Sequence, residues 1–474
     1  MSHNSKGSSR RQFIKGAGLA GAASLLAAQS ASAGLRESGF RIGNAKAKNL
    51  IFLVVDGMGP GTLGLAHHWS LRNRKQALNW MQLYDREDLS WALQDTASAS
   101  SPVTDSAAAA SAWGSGQRVN NGSINIATDG RALTPLFTHA KNAGKATGLV
   151  STCRITHATP AGFAANVTNR GMEDRIAQQY LEREIDVLLG GGLRHFEQDL
   201  HNAEGTSTDL ISGFSSKGYQ IAQDKTALEV AAGAPKLLGL FADSHIPYAI
   251  DRQNDISLNK VPGLAEMFRA ALKSLSVANN GFVLQVEGGR VDHAGHVNDP
   301  AAILHELLEF DACIPIALDY LEQNPDTLLV VTTDHGTGGC QLNGIGKAYV
   351  DSGPALDTIN QFRYSFEWLQ KRFTGSGIFS PMIFEMATGI QLSEAQAAEI
   401  QQAIDQNVRY LSSTMTDILS KELWNTTAVG WTSNNHTSEC VDLLAVGPGV
   451  QALPRFLDNC QIFRLMVDAL GLKV

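Results

Sequence analysis

The sequence predicts an α/β fold in which a mostly parallel central sheet carries helices on both faces. Short, almost continuously apolar runs recur along the chain, as strands buried on both faces require. Segments with helical start and stop signals lie between those runs. Acidic, imidazole and hydroxyl side chains follow directly upon several run ends, where open sheets bind their ligands.

The first 33 residues are set apart from the fold. Ser9-Arg10-Arg11-Gln12-Phe13-Ile14-Lys15 is a twin-arginine signature, an apolar stretch follows from Gly16 to Ala28, and Ala31-Ser32-Ala33 is a small-residue cleavage site. The stretch is shorter than the roughly 20 residues a membrane-spanning helix needs. Residues 1–33 are therefore expected to be a twin-arginine signal peptide, exporting the chain to the periplasm or beyond, with 34–474 as the mature protein. Its removal takes four of the 38 basic residues and none of the 46 acidic ones, so the formal net charge moves from −8 to −12. No basic stripe remains to neutralise a nucleic-acid backbone, and no later window is apolar enough to span a membrane. Five cysteines, an odd number, leave at least one thiol free or paired between chains. With no CxxC, a thiolate zinc site is not expected, and any metal would be held by carboxylates and imidazoles.

Expected strands are Leu50–Val55, Ala146–Val150, Asp186–Leu189, Phe282–Val286, Leu328–Val331 and Leu443–Val446. Thr134-Pro135 opens a helix that Gly144 closes. Val261–Ala278 reads as a second, and Asp299-Pro300 opens a third running to about Glu322, with a kink at Pro315. The alanines after Ser106 start a helix expected to stop at Gly114, with Thr104, Asp105 or Ser106 as its cap. The stretch from about 340 to 435 is rich in Gly, Gln, Thr and Ser and carries a capping box, Ser393-Glu394-Ala395-Gln396. It reads as an insertion flanking the ligand edge.

The chemistry gathers at strand ends. Leu50–Val55 delivers Asp56, Phe282–Val286 delivers Glu287, and Leu328–Val331 leads to Asp334-His335. The strand at 146–150 feeds a loop holding His157 and Thr159. Asp292 and His296, four apart, share a face if helical, and their ligand types suit zinc. His436 stands just before the last strand. Singly, each also has a structural reading, as a turn, a cap or a surface pair; their common edge is what argues for a site. A serine at a helix N-terminus has a phosphate-binding use, because free N–H groups and a partial positive charge point outward there. The surroundings of Ser106 are not GxSxG, and neither a Walker loop nor a convincing GxGxxG is present.

The ordered set Asp56-Gly57-Met58-Gly59, Val103-Thr104-Asp105-Ser106-Ala107, His157-Ala158-Thr159-Pro160, Val286-Glu287-Gly288-Gly289-Arg290-Val291-Asp292-His293, Thr333-Asp334-His335 and His436-Thr437 resembles the alkaline phosphatase family, from about Asn49 to Gly449. The resemblance implies hydrolysis of small-molecule phosphate monoesters through a phosphoserine on Ser106, with broad substrate range. It also implies Asp292, His296 and His436 as ligands of one zinc, and Asp56, Asp334 and His335, completed by Ser106, as ligands of a second. Asp56 would bridge to a third ion, magnesium, held with Thr159 and Glu287, and Arg170 would grip the substrate phosphate. Val55 departs from the glycine many relatives carry. His157 and His293 stand where some bacterial members have aspartate and lysine, and a histidine beside the third ion also suits zinc or cobalt. Either a homodimer or a monomer is compatible with the sequence. Among alternatives, a sulfatase would need a C/S-x-P-x-R context that Ser106 lacks. A diesterase usually lacks the third metal, against Thr159 and Glu287, and a silent binding protein would have lost a ligand or the nucleophile.

Overall fold

The computed structural model describes residues 46–197, 200–201, 207–346, 349 and 351–474. The expected export signature at 1–33 lies outside them. Ten strands make the central sheet: β1 (Asn49–Val55), β2 (Ser90–Asp95), β3 (Ala146–Arg154), β4 (Val187–Gly191), β5 (Gln220–Ala222), β6 (Leu237–Leu240), β7 (Phe282–Gly288), β8 (Thr327–Thr333), β9 (Val441–Val446) and β10 (Phe456–Asp458). Their spatial order is β10-β2-β9-β8-β1-β7-β3-β4-β6-β5. Only β9 runs against the others, antiparallel to both β8 and β2. The expected mostly parallel sheet is what the chain forms, with four strands beyond the six expected.

Each central strand serves two cores because successive side chains point to opposite faces. Ile51, Leu53 and Val55 of β1 pack on one side with Leu329 and Val331 of β8. Leu50, Phe52 and Val54 pack on the other with Leu328 and Val330. The first core is covered by α1 (Pro60–Asn73), the second by α2 (Ser106–Ser115) and α3 (Ala158–Ala164). The first also takes α4 (Leu264–Leu275), α5 (Arg290–Val297), α6 (Pro300–Asp311) and α7 (Phe366–Ser376).

Several local expectations shift, each for a physical reason. The helix at Ser106 runs past Gly114 to a left-handed Gly116 (φ 78°), because Gly114 lies against Gly162, where a Cβ would meet the Gly162 carbonyl oxygen at 2.0 Å. Gly114 is kept small for helix contact, not for a stop. Pro135 is the N-cap of Leu136–Asn142 and not its first helical residue. The segment after Asp299 is two helices, α6 and Cys313–Gln323, broken at Ala312. Pro315 falls in the first turn of the second, where its missing N–H goes unneeded. The helix read as Val261–Ala278 spans Leu264–Leu275. His157 caps α3 and Thr159 lies inside it, where a loop was expected.

Residues 353–427 form α7 and five further α-helices, one opened by the expected Ser393 capping box. They hold α5 and its surroundings directly. Thr416 Oγ1 donates to the Val297 carbonyl (2.5 Å), Asp299 accepts from Phe366 N (2.8 Å), and Glu367 of α7 pairs with Arg290 of α5 (2.5 Å).

Candidate active site

Strand register sets the first contacts. β1 and β8 pair in parallel with Val55 opposite Thr333, so Asp56 and Asp334 leave the sheet side by side. On the other flank Glu287 of β7 lies opposite Val54 of β1 and Ser151 of β3. The turn after Asp56 needs glycine twice over: Gly57 has φ 83°, and a Cβ there would stand 2.5 Å from Asp292 Cα. That close approach brings the β1 turn against α5, whose one-turn spacing puts Asp292 and His296 on the same side.

Ser106 is the first residue of α2, 1% exposed. The cap is Asp105, whose Oδ1 accepts from Ala108 N (2.9 Å), which leaves the Ser106 hydroxyl free of that duty. Ser106 Oγ lies 3.4 Å from His335 Nε2. The same nitrogen is 3.1 Å from Asp334 Oδ2 and 3.6 Å from Asp56 Oδ1. Beside it, Asp292 Oδ2 is 3.4 Å from His296 Nε2 and Asp292 Oδ1 is 3.4 Å from His436 Nε2, while the two Nε2 atoms stand 3.0 Å apart. Thr159 Oγ1 is 3.4 Å from Asp56 Oδ2, and Glu287 accepts a short hydrogen bond from Ser151 while lying with His157 and Cys153 in one donor cluster. The structure thus brings every expected site residue into one contiguous cluster.

Hydrogen bonds to the far nitrogen of each imidazole fix which nitrogen faces inward. His296 Nδ1–H donates to the Asn434 carbonyl (2.6 Å) and His436 Nδ1–H to the Thr104 carbonyl (2.8 Å). Thr337 Oγ1 donates to Asp292 Oδ1 (2.6 Å), so at 3.3 Å it accepts from His335 Nδ1. With Nδ1 so engaged, all three rings turn Nε2 toward the cluster, the orientation metal-binding histidines adopt.

The electrostatics ask for cations. Burial, and then repulsion among neighbouring carboxylates, raises Asp56 well above the usual carboxylate range and Asp334 to about 8. Burial lifts Glu287 to about 7 against the opposing bond from Ser151. Asp56 Oδ1, Asp334 Oδ2 and Glu287 Oε1 are buried and lack any hydrogen-bond partner. Burial likewise pushes Asp292 upward, but His296, His436 and His335 around it outweigh this and hold it well below the ordinary value. Against the pull of burial, Asp292 raises His296 to about 9, so this pair holds a proton that a divalent ion would displace. Buried, mutually repelling carboxylates with unused oxygens, faced by imidazole nitrogens, fit divalent ions. The donor groups Asp292–His335–His436 and Asp56–Asp334–His335 each lie within 4.8 Å of one another.

Arg170 is ion-paired with Asp105 Oδ2 (3.0 Å) and donates to His157 Nε2 (3.1 Å), its side chain 27% exposed. It stands beside the Ser106 cap, Asp105, with its side chain partly exposed. Sequence reasoning did not foresee the supporting residues Thr337, Ser151 and the Arg290–Glu367 pair. Nor did it foresee Cys153 and His245, which sit against His293 and His157. His245 follows the end of β6, so the same strand-end rule would have flagged it had that strand been recognised.

A sequence profile described as alkaline phosphatase matches residues 47–472. The chain is 31% identical over 436 residues to alkaline phosphatase 3 of Bacillus subtilis, covering 90% of each. It is 32% identical to an alkaline phosphatase of Schizosaccharomyces pombe, covering 89% of this chain and 81% of that one. Among solved structures, the alkaline phosphatase of Thermus thermophilus superposes with a TM-score of 0.82 at 36% identity, over 92% of this chain and 95% of that one. Profile, identity over most of the chain and shared fold agree with the geometry: the chain is an enzyme of the alkaline phosphatase family.

Proposed function

We propose that the chain hydrolyses phosphate monoesters through a phosphoserine on Ser106, at a centre of two zinc ions and one magnesium ion, with wide tolerance of the alcohol. The observation that carries this reading is the placement of the Ser106 hydroxyl at a helix N-terminus, against buried carboxylates that have unused oxygens. Asp292, His296 and His436 would hold one zinc, and Asp56, Asp334 and His335, with Ser106, the other. Asp56, Thr159 and Glu287 would hold the third ion, with His157 beside them. Bound there, the ions would supply Lewis acidity, favouring ionised forms of serine and water and neutralising charge on the attacking and departing oxygens.

The chain's own residues do the rest. Arg170 donates two parallel N–H groups to non-bridging phosphate oxygens, exchanging its contacts with Asp105 and His157 for the substrate. The free N–H groups of α2 face the same phosphate. Ser106 Oγ gives its proton to solvent and attacks phosphorus in line while the ester P–O bond breaks; the departing oxygen takes a proton from solvent and leaves as the alcohol on the Asp292–His296–His436 side. Water then enters from that side, gives a proton to solvent and attacks phosphorus, the Oγ–P bond breaks, inorganic phosphate departs, and Ser106 Oγ takes a proton from solvent. No residue of this sequence of events touches the alcohol, which is the reason for the wide tolerance.

The N-terminal 33 residues would direct export by the twin-arginine route; among the described residues, no helix is long and apolar enough to cross a membrane. The direct test is turnover of a chromogenic phosphate monoester against its diester, before and after chelation, alongside metal analysis. Monoester preference lost on chelation and restored by zinc and magnesium is expected. Equal diester turnover, or activity indifferent to chelation, would refute the reading.

A further inference from the structure

Three side chains that the proposed mechanism leaves unused meet beside the catalytic cluster. Cys153 lies near the end of β3, His245 in the loop after β6, and His293 on α5. Their donor atoms all fall within 4.8 Å of one another. Cys153 Sγ is 3.8 Å from His293 Nδ1, and the His245 and His293 rings stand 4.3 Å apart, centre to centre. A sulfur and a nitrogen sharing one tetrahedral zinc at ordinary bond lengths stand about 3.6 Å apart. The sulfur has little freedom to turn away, because Cys153 is fully buried and packs so closely on Gly289 that a Cβ there would lie 2.7 Å from it.

The surroundings keep both imidazoles neutral, with lone pairs now engaged by arginines that an entering ion would displace. Arg290 donates to His293 Nδ1 (3.0 Å), and Arg154 faces both nitrogens of His245, its guanidinium at Nε2 and its backbone N–H at Nδ1 (3.3 Å). A guanidinium keeps its protons, so His293 Nδ1 and one nitrogen of His245 present a lone pair, and each ring is in its neutral form. The two arginines that now donate here also have carboxylates of their own, Glu173 at 2.7 Å from Arg154 and Glu367 at 2.5 Å from Arg290. An entering cation can take over the imidazole lone pairs while each guanidinium keeps its ion pair. His245 and His293 are only partly buried.

We propose that Cys153, His245 and His293 form an additional cation site, beyond the three-ion centre, for a thiophilic divalent ion such as zinc or cobalt(II). One thiolate and two imidazoles suit such ions and not magnesium, which demands oxygen. Sequence spacing could not show this, since the three ligands come from elements about 50 to 90 residues apart in the chain and meet only through the sheet order. Cys153 also shares a donor group with His157 and Glu287, so it borders the third-ion residues, and His245 and His293 are what set the additional site apart; among the described residues, no other cysteine joins any such group.

The test is cobalt(II) loading of the full-length protein followed by desalting, with metal analysis and near-ultraviolet absorption. Neither readout involves turnover, so the outcome is independent of the proposed mechanism. Wild type should retain one more equivalent of cobalt than Cys153→Ser and show a thiolate-to-cobalt charge-transfer band that the variant lacks. His245→Asn, at a partly exposed position, should lose the same equivalent and most of the band; it decides the matter alone if Cys153→Ser does not fold. No band in wild type, or a band and stoichiometry unchanged in either variant, overturns the site and leaves Cys153 as a hydrogen-bonded core thiol.

Discussion

Replacing Arg170 with alanine isolates the phosphate grip from the rest of the centre. The fold should tolerate the loss, because Asp105 keeps its other partners: Oδ1 still accepts from Ala108 N (2.9 Å) and Oδ2 from Gly122 N (3.0 Å). What disappears is a pair of charge-assisted hydrogen bonds to phosphate, each worth about 1.5–3 kcal/mol. Against that gain, the wild type gives up a partly exposed ion pair to Asp105, worth about 1 kcal/mol at most. The net loss is then about 2–5 kcal/mol, or roughly 30- to 5000-fold in kcat/KM. Steady-state kinetics and inhibition by inorganic phosphate measure it, and metal content and thermal midpoint should stay at wild-type values. Arg170→Lys should recover part of the loss, because it restores the charge without the fork. A kcat/KM within about threefold of wild type, or unchanged phosphate inhibition, would refute the assigned role.

Other perturbations read different links of the account. Glu367→Gln replaces the carboxylate facing the Arg290 guanidinium, 3% exposed, with a neutral amide oxygen and leaves that buried charge uncompensated, so stability should fall by about 2–4 kcal/mol, with recovery in the double variant Glu367→Gln/Arg290→Met; an unchanged denaturation midpoint would contradict it. Burial raises Asp251 to about 7 despite two hydrogen bonds from Ser365. A carboxyl whose folded value exceeds its unfolded one stabilises fully below the unfolded value of about 4, and that contribution is lost as pH climbs toward about 7. Asp251→Asn should therefore flatten the decline of stability between about pH 4 and 7 in urea titrations, and an unaltered slope would count against the shift. Gly57→Ala should cost both stability and metal retention, since its Cβ would collide with Asp292 at a positive φ; wild-type metal content in that variant would show that the turn yields freely.

The central sheet was legible because strands such as β1 and β8 are buried on both faces and so read as unbroken apolar runs. β2 escaped notice because its alternate residues Trp91 and Leu93 face outward, 39% exposed each, as expected near a sheet edge. β6 escaped because it is four residues long and interrupted by Gly239, whose Cβ would meet the Phe241 ring at 2.5 Å. The reversed direction of β9 carries no local signature; it follows from the path of the chain through 334–440. Gly114 and Pro315 misled for a common reason: a helix breaker judged by propensity alone was placed by tertiary contact or by position in the turn. At the site, the carboxylates and imidazoles were legible as strand-end residues and as an ordered motif set. Thr337, Ser151 and the Cys153–His245–His293 group were not, because their neighbours are set by sheet order and by the helices of 353–427.

The most direct measurement is to acid-quench the zinc- and magnesium-loaded enzyme during incubation with inorganic phosphate or a monoester, digest it, and map phosphorylation by mass spectrometry. A single phosphorylated peptide carrying Ser106, absent from Ser106→Ala and from the chelated protein, is the predicted result. Turnover by Ser106→Ala at wild-type rate, or phosphate trapped on another residue, would contradict it.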